Sequence, residues 1–325
     1  MKYRTLGKTG YTVSEIGFGA WAIGASNWGK QDDQDSIRAL HEAIDRGVTF
    51  IDTAAGYGNG HSERLIGKVL KERSEELKVA TKTPLKFPGT WPPSPYDNWE
   101  DRYGEDYLRK NVEERLRNLD VECLDLLQLH TWTRAWNRDP KPFEILRKLQ
   151  EEGKIARIGV STPEQDQNSV IDLMRNGWVD TVQVIYNIFE QEPAAELLPV
   201  AREHNIGIIV RVAMEEGALT GKFTKDTVFP GDDFRSTYFA GDRMGRVVAR
   251  VEKLRDEFSD CGCSLAELAL RFALQHPAVS TVIAGMRNPR QVEMNVPVAD
   301  MPPLPEEWVK KLHRHAWLKQ FWHSR

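Results

Sequence analysis

The sequence is poor in cysteine. Its 325 residues include only Cys123, Cys261 and Cys263, and small secreted proteins that rely on disulfides carry several pairs of cysteines. The first residues, Met1 to Thr5, lack the apolar run of a secretory signal peptide. A disulfide-stapled scaffold is therefore excluded, and we predict a cytoplasmic protein.

Long apolar runs and an excess of charge of one sign are also missing. No stretch approaches the roughly 20 apolar residues of a membrane-spanning helix. The 44 basic and 48 acidic residues are interleaved and leave a net charge of -4, which argues against nucleic acid or a membrane as the partner. We predict that the partner is a small molecule and that the protein is a monomer or a small homo-oligomer.

What the sequence does contain is a repeated alternation of short apolar runs with helix-period segments. The runs predict eight strands, at residues 16–19, 48–51, 79–81, 124–129, 158–160, 182–185, 208–210 and 281–283. Strands that alternate with helices pair in parallel through right-handed crossovers, and nearly all-apolar strands indicate a sheet covered on both faces. Because no linker divides the chain, we predict one (β/α)8 TIM-barrel domain over residues 1–325.

A doubly wound dinucleotide-binding sheet is the alternative fold. It requires G-x-G-x-x-G after an early strand, and the nearest run, Gly56 to Gly60, has the wrong spacing. For the barrel, we predict an N-terminal β-hairpin at residues 1–14 that closes its bottom. Long loops after strands 3 and 7, at about 83–103 and 213–240, would cover its C-terminal face, where loops of that length are usually functional.

Four polar side chains follow strands 2, 3 and 4, at the face where barrel enzymes carry their chemistry. They are Asp52, Tyr57, Lys82 and His130. An ammonium group next to a phenol stabilises phenolate, a carboxylate keeps that ammonium charged, and an imidazole can orient a carbonyl oxygen. This combination predicts proton transfer to an oxyanion. A lone aspartate at such a turn could instead cap the next helix.

The predicted site has no electron source, so a cofactor is implied. Phosphate groups on such barrels dock at the loops after strands 7 and 8. Those loops carry the segment Gly217 to Lys222, and Arg287 and Gln291 near a helix start. On the neighbouring strands, Ser161 and Gln183 could bind a carboxamide, and Tyr186 could pack on a flat ring.

These segments resemble the aldo-keto reductases. The similar motifs are 51–58 (IDTAAGYG), 79–82 (VATK), 127–130 (LQLH), 158–161 (IGVS), 182–183 (VQ), 217–222 (GALTGK) and 285–289 (GMRNP). The resemblance implies NADPH-dependent interconversion of carbonyls and alcohols without a metal. It further implies that Tyr57 is the general acid, Lys82 lowers its pKa, Asp52 supports Lys82 and His130 orients the substrate.

The resemblance also implies a set of cofactor contacts. Two members depart from the family pattern, Thr162 where asparagine is common and Arg211 where an aromatic residue stacks on nicotinamide. The full set is Ser161, Thr162, Gln183, Tyr186, Arg211, Gly217, Leu219, Gly221, Lys222, Gly285, Arg287, Gln291 and Asn295.

Six of the ten tryptophans lie in the predicted loops at the C-terminal face. They predict an aromatic-walled substrate pocket, in which we expect Trp21 and Trp132 to contact the substrate. The Cys261-Gly262-Cys263 motif lacks the further ligands of a metal site, and we predict no metal.

Two other functions remain open. A nicotinamide-binding subunit that senses redox state or regulates a partner, with little turnover, would carry the same four residues. A glycoside hydrolase would need two carboxylates about 5 to 10 Å apart, and only Asp52 clearly ends a strand.

Overall fold

The computed structural model describes residues 1–25 and 27–318. It shows a two-stranded antiparallel hairpin followed by a closed barrel of eight parallel strands. The hairpin strands are β1 (Tyr3–Thr5) and β2 (Thr12–Ser14). The barrel strands are β3 (Ile16–Gly19), β4 (Phe50–Asp52), β5 (Lys78–Thr83), β6 (Leu126–Leu129), β7 (Ile158–Ser161), β8 (Thr181–Ile185), β9 (Gly207–Arg211) and β10 (Val279–Gly285). The barrel closes where β10 pairs with β3.

Helices follow the strands and form the outer layer. The α-helices are α1 (Asp33–Asp45), α2 (His61–Glu72), α3 (Trp99–Tyr103), α4 (Glu105–Leu119), α5 (Lys141–Glu151), α6 (Ile171–Arg175), α7 (Leu197–Glu203), α8 (Phe234–Tyr238), α9 (Arg243–Glu257), α10 (Leu265–Gln275), α11 (Pro289–Asn295) and α12 (Glu306–His313). Capping defines where they begin: the Asp32 carboxylate accepts backbone N–H bonds from Gln34 and Asp35 at the start of α1, which satisfies donors that the helix leaves free.

None of the helices in the described residues is long and apolar enough to cross a membrane.

The hairpin closes the N-terminal end of the barrel, as predicted. Leu6 and Val13 are buried among apolar side chains from four barrel strands, including Phe50 and Ile209. Gly7 has a positive φ of +51°, and a Cβ there would lie 2.2 Å from the backbone nitrogen of Gly207. Only glycine therefore allows the hairpin to approach the start of β9 so closely.

The long loops lie at the opposite end, over the carboxyl ends of the strands. The loop after β5 contains α3, and the loop after β9 contains a 3-10 segment, Glu215–Thr220, and α8. The loop after β9 reaches the loop after β3, because Phe234 donates a backbone hydrogen bond of 2.8 Å to the Asn27 carbonyl. The TIM barrel, its hairpin and its long loops after barrel strands 3 and 7 (β5 and β9) are thus confirmed.

Candidate active site

A chain of hydrogen bonds joins Asp52, Lys82 and Tyr57 at the mouth of the barrel. Asp52 is the last residue of β4, Lys82 lies in β5, and Tyr57 is in the turn before α2. The Lys82 Nζ donates to Asp52 Oδ1 at 2.5 Å, to the Thr53 carbonyl at 2.8 Å and to the Tyr57 hydroxyl at 3.3 Å. Neighbouring parallel strands bring these groups together, although they are far apart in the sequence.

The second carboxylate oxygen of Asp52 has partners of its own. Gln183 Nε2 donates to Oδ2 at 2.7 Å and Gln128 Nε2 donates at 3.3 Å. The amide nitrogen of Gln183, which we expected to contact a carboxamide, thus points at Asp52. Gln128 was not among the predicted residues. The alternation of side chains along a strand could have revealed it, because Gln128 precedes His130 by two residues and shares its face.

The ionisation of this group follows from burial and from these contacts. Burial raises the pKa of Tyr57, and the nearby Lys82 ammonium only partly opposes that rise. Burial alone would lower the pKa of Lys82, but the charges of Asp52 and Tyr57 outweigh it and raise that pKa. At neutral pH the Tyr57 phenol is therefore protonated and the Lys82 amine is an ammonium.

His130 follows β6 and lies beside the phenol. Its ring meets the ring of Tyr57 edge to face at 6.0 Å between centroids. Burial, Lys82 and Arg211 hold the pKa of His130 well below its usual range, so the imidazole is neutral at physiological pH. A neutral imidazole has one N–H donor, which can hydrogen-bond a carbonyl oxygen placed near the Tyr57 hydroxyl.

Aromatic rings surround the phenol and the imidazole. Trp21 stacks on Tyr57 with 5.8 Å between centroids and an angle of 20°, and Trp91 meets His130 edge to face at 5.1 Å. Trp91, from the loop after β5, was counted among the mouth tryptophans but not singled out as a substrate contact. No periodic pattern locates a loop residue in space, so the sequence offered no signal for choosing it.

Trp132 does not line the mouth, contrary to the prediction. Its side chain is 0% exposed and packs against Trp136 and Phe143, with 5.2 and 4.9 Å between centroids. Its Nε1 donates to Asn137 Oδ1 at 2.7 Å. The contact with Phe143 joins this ring of the loop after β6 to α5, so Trp132 is a core residue of that loop.

Near the ends of successive strands lie a phenol, an ammonium, a carboxylate and an imidazole. This combination matches one family. The aldo/keto reductase family model covers residues 15–316 of the chain. The chain belongs to this family. The resemblance seen in the motifs is thereby confirmed, and the protein is an oxidoreductase of the aldo-keto reductase type.

Two curated relatives of the family are similar over most of their length. The aldo-keto reductase YhdN of Bacillus subtilis (strain 168) is 33% identical over 90% of this chain and 87% of its own. The NADH-specific methylglyoxal reductase of Escherichia coli (strain K12) is 30% identical over 91% of this chain and 93% of its own.

Solved structures of family members agree with the fold. The glycerol dehydrogenase of Gluconobacter oxydans has a TM-score of 0.76 and 31% identity, covering 94% of this chain and 92% of its own. An aldo-keto reductase of Klebsiella pneumoniae, solved in complex with NADPH, has a TM-score of 0.71 and 23% identity, covering 97% and 95%. One solved structural neighbour of this chain is thus an aldo-keto reductase with bound NADPH.

The residues expected to contact the nicotinamide ring are arranged differently from the prediction. Tyr186 is 3% exposed and stacks on Phe272 of α10 at 5.4 Å, so it packs in the helix layer and cannot contact a ring in the mouth. Arg211 does reach the mouth. Its Nη2 donates to the Thr162 carbonyl and to Glu164 Oε1, both at 2.9 Å.

The loops after β9 and β10 offer an open, donor-lined surface that fits a nicotinamide nucleotide. A Cβ at Gly285 would meet nothing within 4 Å, and Gly217 and Gly221 have φ of +96° and +71°. In residues 1–25 and 27–318, the Arg211 Nε is buried and has no hydrogen-bond partner, so it is free to donate. The remaining cofactor contacts stay predictions, and of these Ser161, Thr162, Leu219 and Asn295 are buried. They are Ser161 and Thr162 at the end of β7, Arg211 at the end of β9, Gly217, Leu219, Gly221 and Lys222 after β9, and Gly285, Arg287, Gln291 and Asn295 from the end of β10 onward.

Arg287 is already engaged in the structure. Its guanidinium donates to Gln31 Oε1 at 2.8 Å and to the carbonyls of Trp28 and Lys30 at 3.1 and 2.7 Å. Its backbone N–H donates to Gln291 Oε1 at 2.7 Å. Arg287 therefore links the end of β10 to the loop after β3, and a phosphate would have to share this guanidinium with those carbonyls.

Two acidic residues also lie in the loop after β9. Glu215 is buried and accepts hydrogen bonds from Tyr238 at 2.8 Å and Asn187 at 3.0 Å. Burial and the charge of Glu215 raise the pKa of Glu216 to about 7. The loop thus carries a carboxyl group that is half ionised near neutral pH, on the side where a pyrophosphate is expected.

Proposed function

We propose that this protein transfers hydride between NADPH and an aldehyde or ketone, or in reverse oxidises the alcohol, with Tyr57 as the general acid or base. The observation that carries the proposal is the hydrogen-bonded chain from Asp52 through Lys82 to the Tyr57 hydroxyl, at 2.5 and 3.3 Å. That chain ends beside a neutral His130 and under Trp21. Such an enzyme is an NADP-dependent oxidoreductase of the alcohol–carbonyl class.

The residues of the chain have distinct tasks in this proposal. The His130 N–H and the Tyr57 O–H both donate to the carbonyl oxygen of the substrate, which orients it and stabilises the negative charge that develops on it. Tyr57 then gives its proton to that oxygen. The Lys82 ammonium stabilises the phenolate left behind, and Asp52 keeps the ammonium charged in a buried site.

NADPH, when bound, supplies the hydride. The open surface at Gly285 and the turn from Gly217 to Lys222 would hold its phosphates, and Ser161 and Arg211 would lie towards its nicotinamide end. One N–H of the Gln183 amide donates to Asp52, so its second N–H and its carbonyl oxygen would be left for a carboxamide. The preference for NADPH over NADH also belongs to the proposal, since one of the relatives is by name NADH-specific.

Replacing Tyr57 by Phe tests the proposed function. We expect kcat for carbonyl reduction to fall by about 10²-fold or more while the Kd for NADPH changes little, because the hydroxyl acts in the transition state. Tyr96→Phe is the matched control, since the Tyr96 side chain is 97% exposed. Retained turnover in Tyr57→Phe would exclude Tyr57 as the acid.

The same assay distinguishes an enzyme from a nicotinamide-binding subunit with little turnover. Tight NADPH binding by the unaltered protein, with negligible turnover against a panel of aldehydes, ketones and alcohols, would favour a redox-sensing or regulatory subunit. The cytoplasmic location and the monomeric or small homo-oligomeric state also remain predictions, which fractionation and light scattering can check.

Replacing Arg287 by Ala tests the cofactor preference. We expect the Kd for NADPH to rise about tenfold and that for NADH to change little, because the guanidinium would pair with the extra phosphate of NADPH. Arg290→Ala, three residues further on in the first turn of α11, is the control. Equal losses for both cofactors would show that Arg287 acts only by holding the carbonyls of Trp28 and Lys30.

A further inference from the structure

The Cys261-Gly262-Cys263 motif brings two thiols together on the outside of the barrel. It lies in the loop between α9 and α10, and Arg255 of α9 donates to the Gly221 carbonyl in the loop after β9 at 2.7 Å. The two Sγ atoms are 3.0 Å apart. Both cysteines are half-buried, and the glycine between them is exposed with a φ of +67°. The glycine permits a turn that points both sulfurs to the same side.

The surrounding contacts hold this arrangement. The Cys263 backbone N–H donates to Cys261 Sγ at 3.4 Å, and the Cys261 thiol donates to the Cys263 carbonyl at 3.2 Å. Directly after Cys263, Ser264 and Glu267 form a capping box that fixes the start of α10. A disulfide has an S–S bond of about 2.05 Å, so closing it from here needs a sulfur movement of only about 1 Å.

We propose that Cys261 and Cys263 form a reversible dithiol/disulfide pair that exchanges with a small-molecule disulfide of the glutathione type. The Cys261 thiolate attacks oxidised glutathione, so that its S–S bond breaks and one glutathione thiol leaves. Cys263 loses its proton and attacks Cys261 Sγ, which forms the protein disulfide and releases the second glutathione thiol. Two electrons and two protons pass from the protein to the two glutathione molecules.

The order of the two attacks follows from the surroundings of the thiols. Burial and the contact with Cys261 raise the pKa of Cys263, which disfavours its thiolate. Thiolates rather than thiols are the nucleophiles in this exchange. The Cys263 backbone N–H donates to Cys261 Sγ, where it would stabilise a negative charge, so Cys261 makes the first attack. The ring formed by two cysteines separated by one residue is small and strained, and strained disulfides are readily reduced again.

The test counts thiols in the folded protein. In a Cys123→Ser background, the native protein is equilibrated with reduced and oxidised glutathione, trapped by alkylation and weighed intact. With excess oxidised glutathione, we expect the dominant species to have lost two hydrogen atoms and both alkylatable thiols, and to carry no glutathione. Dithiothreitol should restore both thiols.

Single replacements in the same background provide the controls. Cys263→Ser should accumulate one glutathione on Cys261, because the resolving thiol is missing. In Cys261→Ser, the rate of reaction with oxidised glutathione should fall at least about tenfold, because only the protonated Cys263 is left. Two thiols that remain alkylatable in excess oxidised glutathione, or a glutathione adduct that persists with both cysteines present, would overturn the proposal. Neither result depends on catalytic activity.

Discussion

Individual residues in the mouth have the ionisation states that carbonyl reduction needs. The Tyr57 phenol keeps its proton because burial raises its pKa, and His130 stays neutral because burial and two cations lower its pKa. A protonated phenol can give its proton away, and a neutral imidazole can donate a hydrogen bond without adding positive charge. In the proposed reaction, both groups would donate to the carbonyl oxygen of the substrate.

The neutrality of His130 can be measured directly. We expect one of the eight histidines to show no titration in NMR spectra around pH 6.5, where an unperturbed histidine titrates. The pKa of His130 is lowered rather than raised, because burial, Lys82 and Arg211 each disfavour the imidazolium. The His130→Gln spectrum identifies the resonance. Titration of that resonance near 6.5 would contradict the prediction.

Side-chain alternation explains which site residues the sequence could and could not reveal. Gln183 faces the barrel interior, so Tyr186, three residues later, faces the helices and packs on Phe272. Ile209 is part of the interior cluster, and Arg211, two residues on, reaches the mouth. These positions follow from the two-residue period of side chains along a strand. The family motifs alone did not indicate which way each side chain points.

At the scale of whole elements, the strands were the easiest to predict and the loops the hardest. The eight barrel strands lie within a few residues of the predicted runs, because each run is apolar on both faces and is bounded by polar or glycine residues. The loops after β3, β5 and β6 have no such periodicity. Trp132 and Trp91 were therefore indistinguishable in the sequence, although one is in the core and the other faces His130.

The two predicted pocket tryptophans should behave differently on replacement. Trp21→Ala should change the ratios of kcat/KM across a panel of carbonyl substrates, because Trp21 stacks on Tyr57. Trp132→Ala should instead lower the free energy of unfolding by about 3–5 kcal/mol and leave those ratios unchanged. Denaturant titration and steady-state kinetics on both variants check this. An altered substrate profile in Trp132→Ala would contradict the assignment to the core.

The loop after β9 should make cofactor binding depend on pH. Because the pKa of Glu216 is about 7, this carboxyl gains negative charge as the pH rises from 6 to 8, and a bound pyrophosphate would be repelled. We expect the Kd for NADH to rise by up to about tenfold over this range. Glu216→Gln should abolish the dependence. NADH is the better probe, because it lacks the extra phosphate that itself titrates near pH 6.

The Glu216→Gln variant also distinguishes the Glu216 carboxyl from other titrating groups in the loop. If the pH dependence survives in Glu216→Gln, the titrating group is elsewhere. If the unaltered protein binds NADH equally well at both pH values, Glu216 does not face the pyrophosphate, and the proposed course of the cofactor along the loop would have to be revised.

At the scale of the whole molecule, the hairpin and the candidate active site occupy opposite ends of the barrel. The hairpin seals the bottom with Leu6 and Val13, whereas Asp52 and Arg211 lie at the ends of strands at the top. The upper loops can differ among family members without opening the sheet.

Leu6→Ala tests this separation. Leu6 is fully buried in the lower cluster, so its truncation should reduce the free energy of unfolding by about 2–5 kcal/mol. Leu318→Ala is the matched control, because the Leu318 side chain is 56% exposed, and it should change stability by no more than about 0.5 kcal/mol. For the folded fraction of Leu6→Ala, we expect kcat and the Kd for NADPH to match those of the unaltered protein, because Leu6 lies in the hairpin at the opposite end of the barrel from Tyr57 and His130. A large fall in kcat at full folding would show that the two ends of the barrel are coupled.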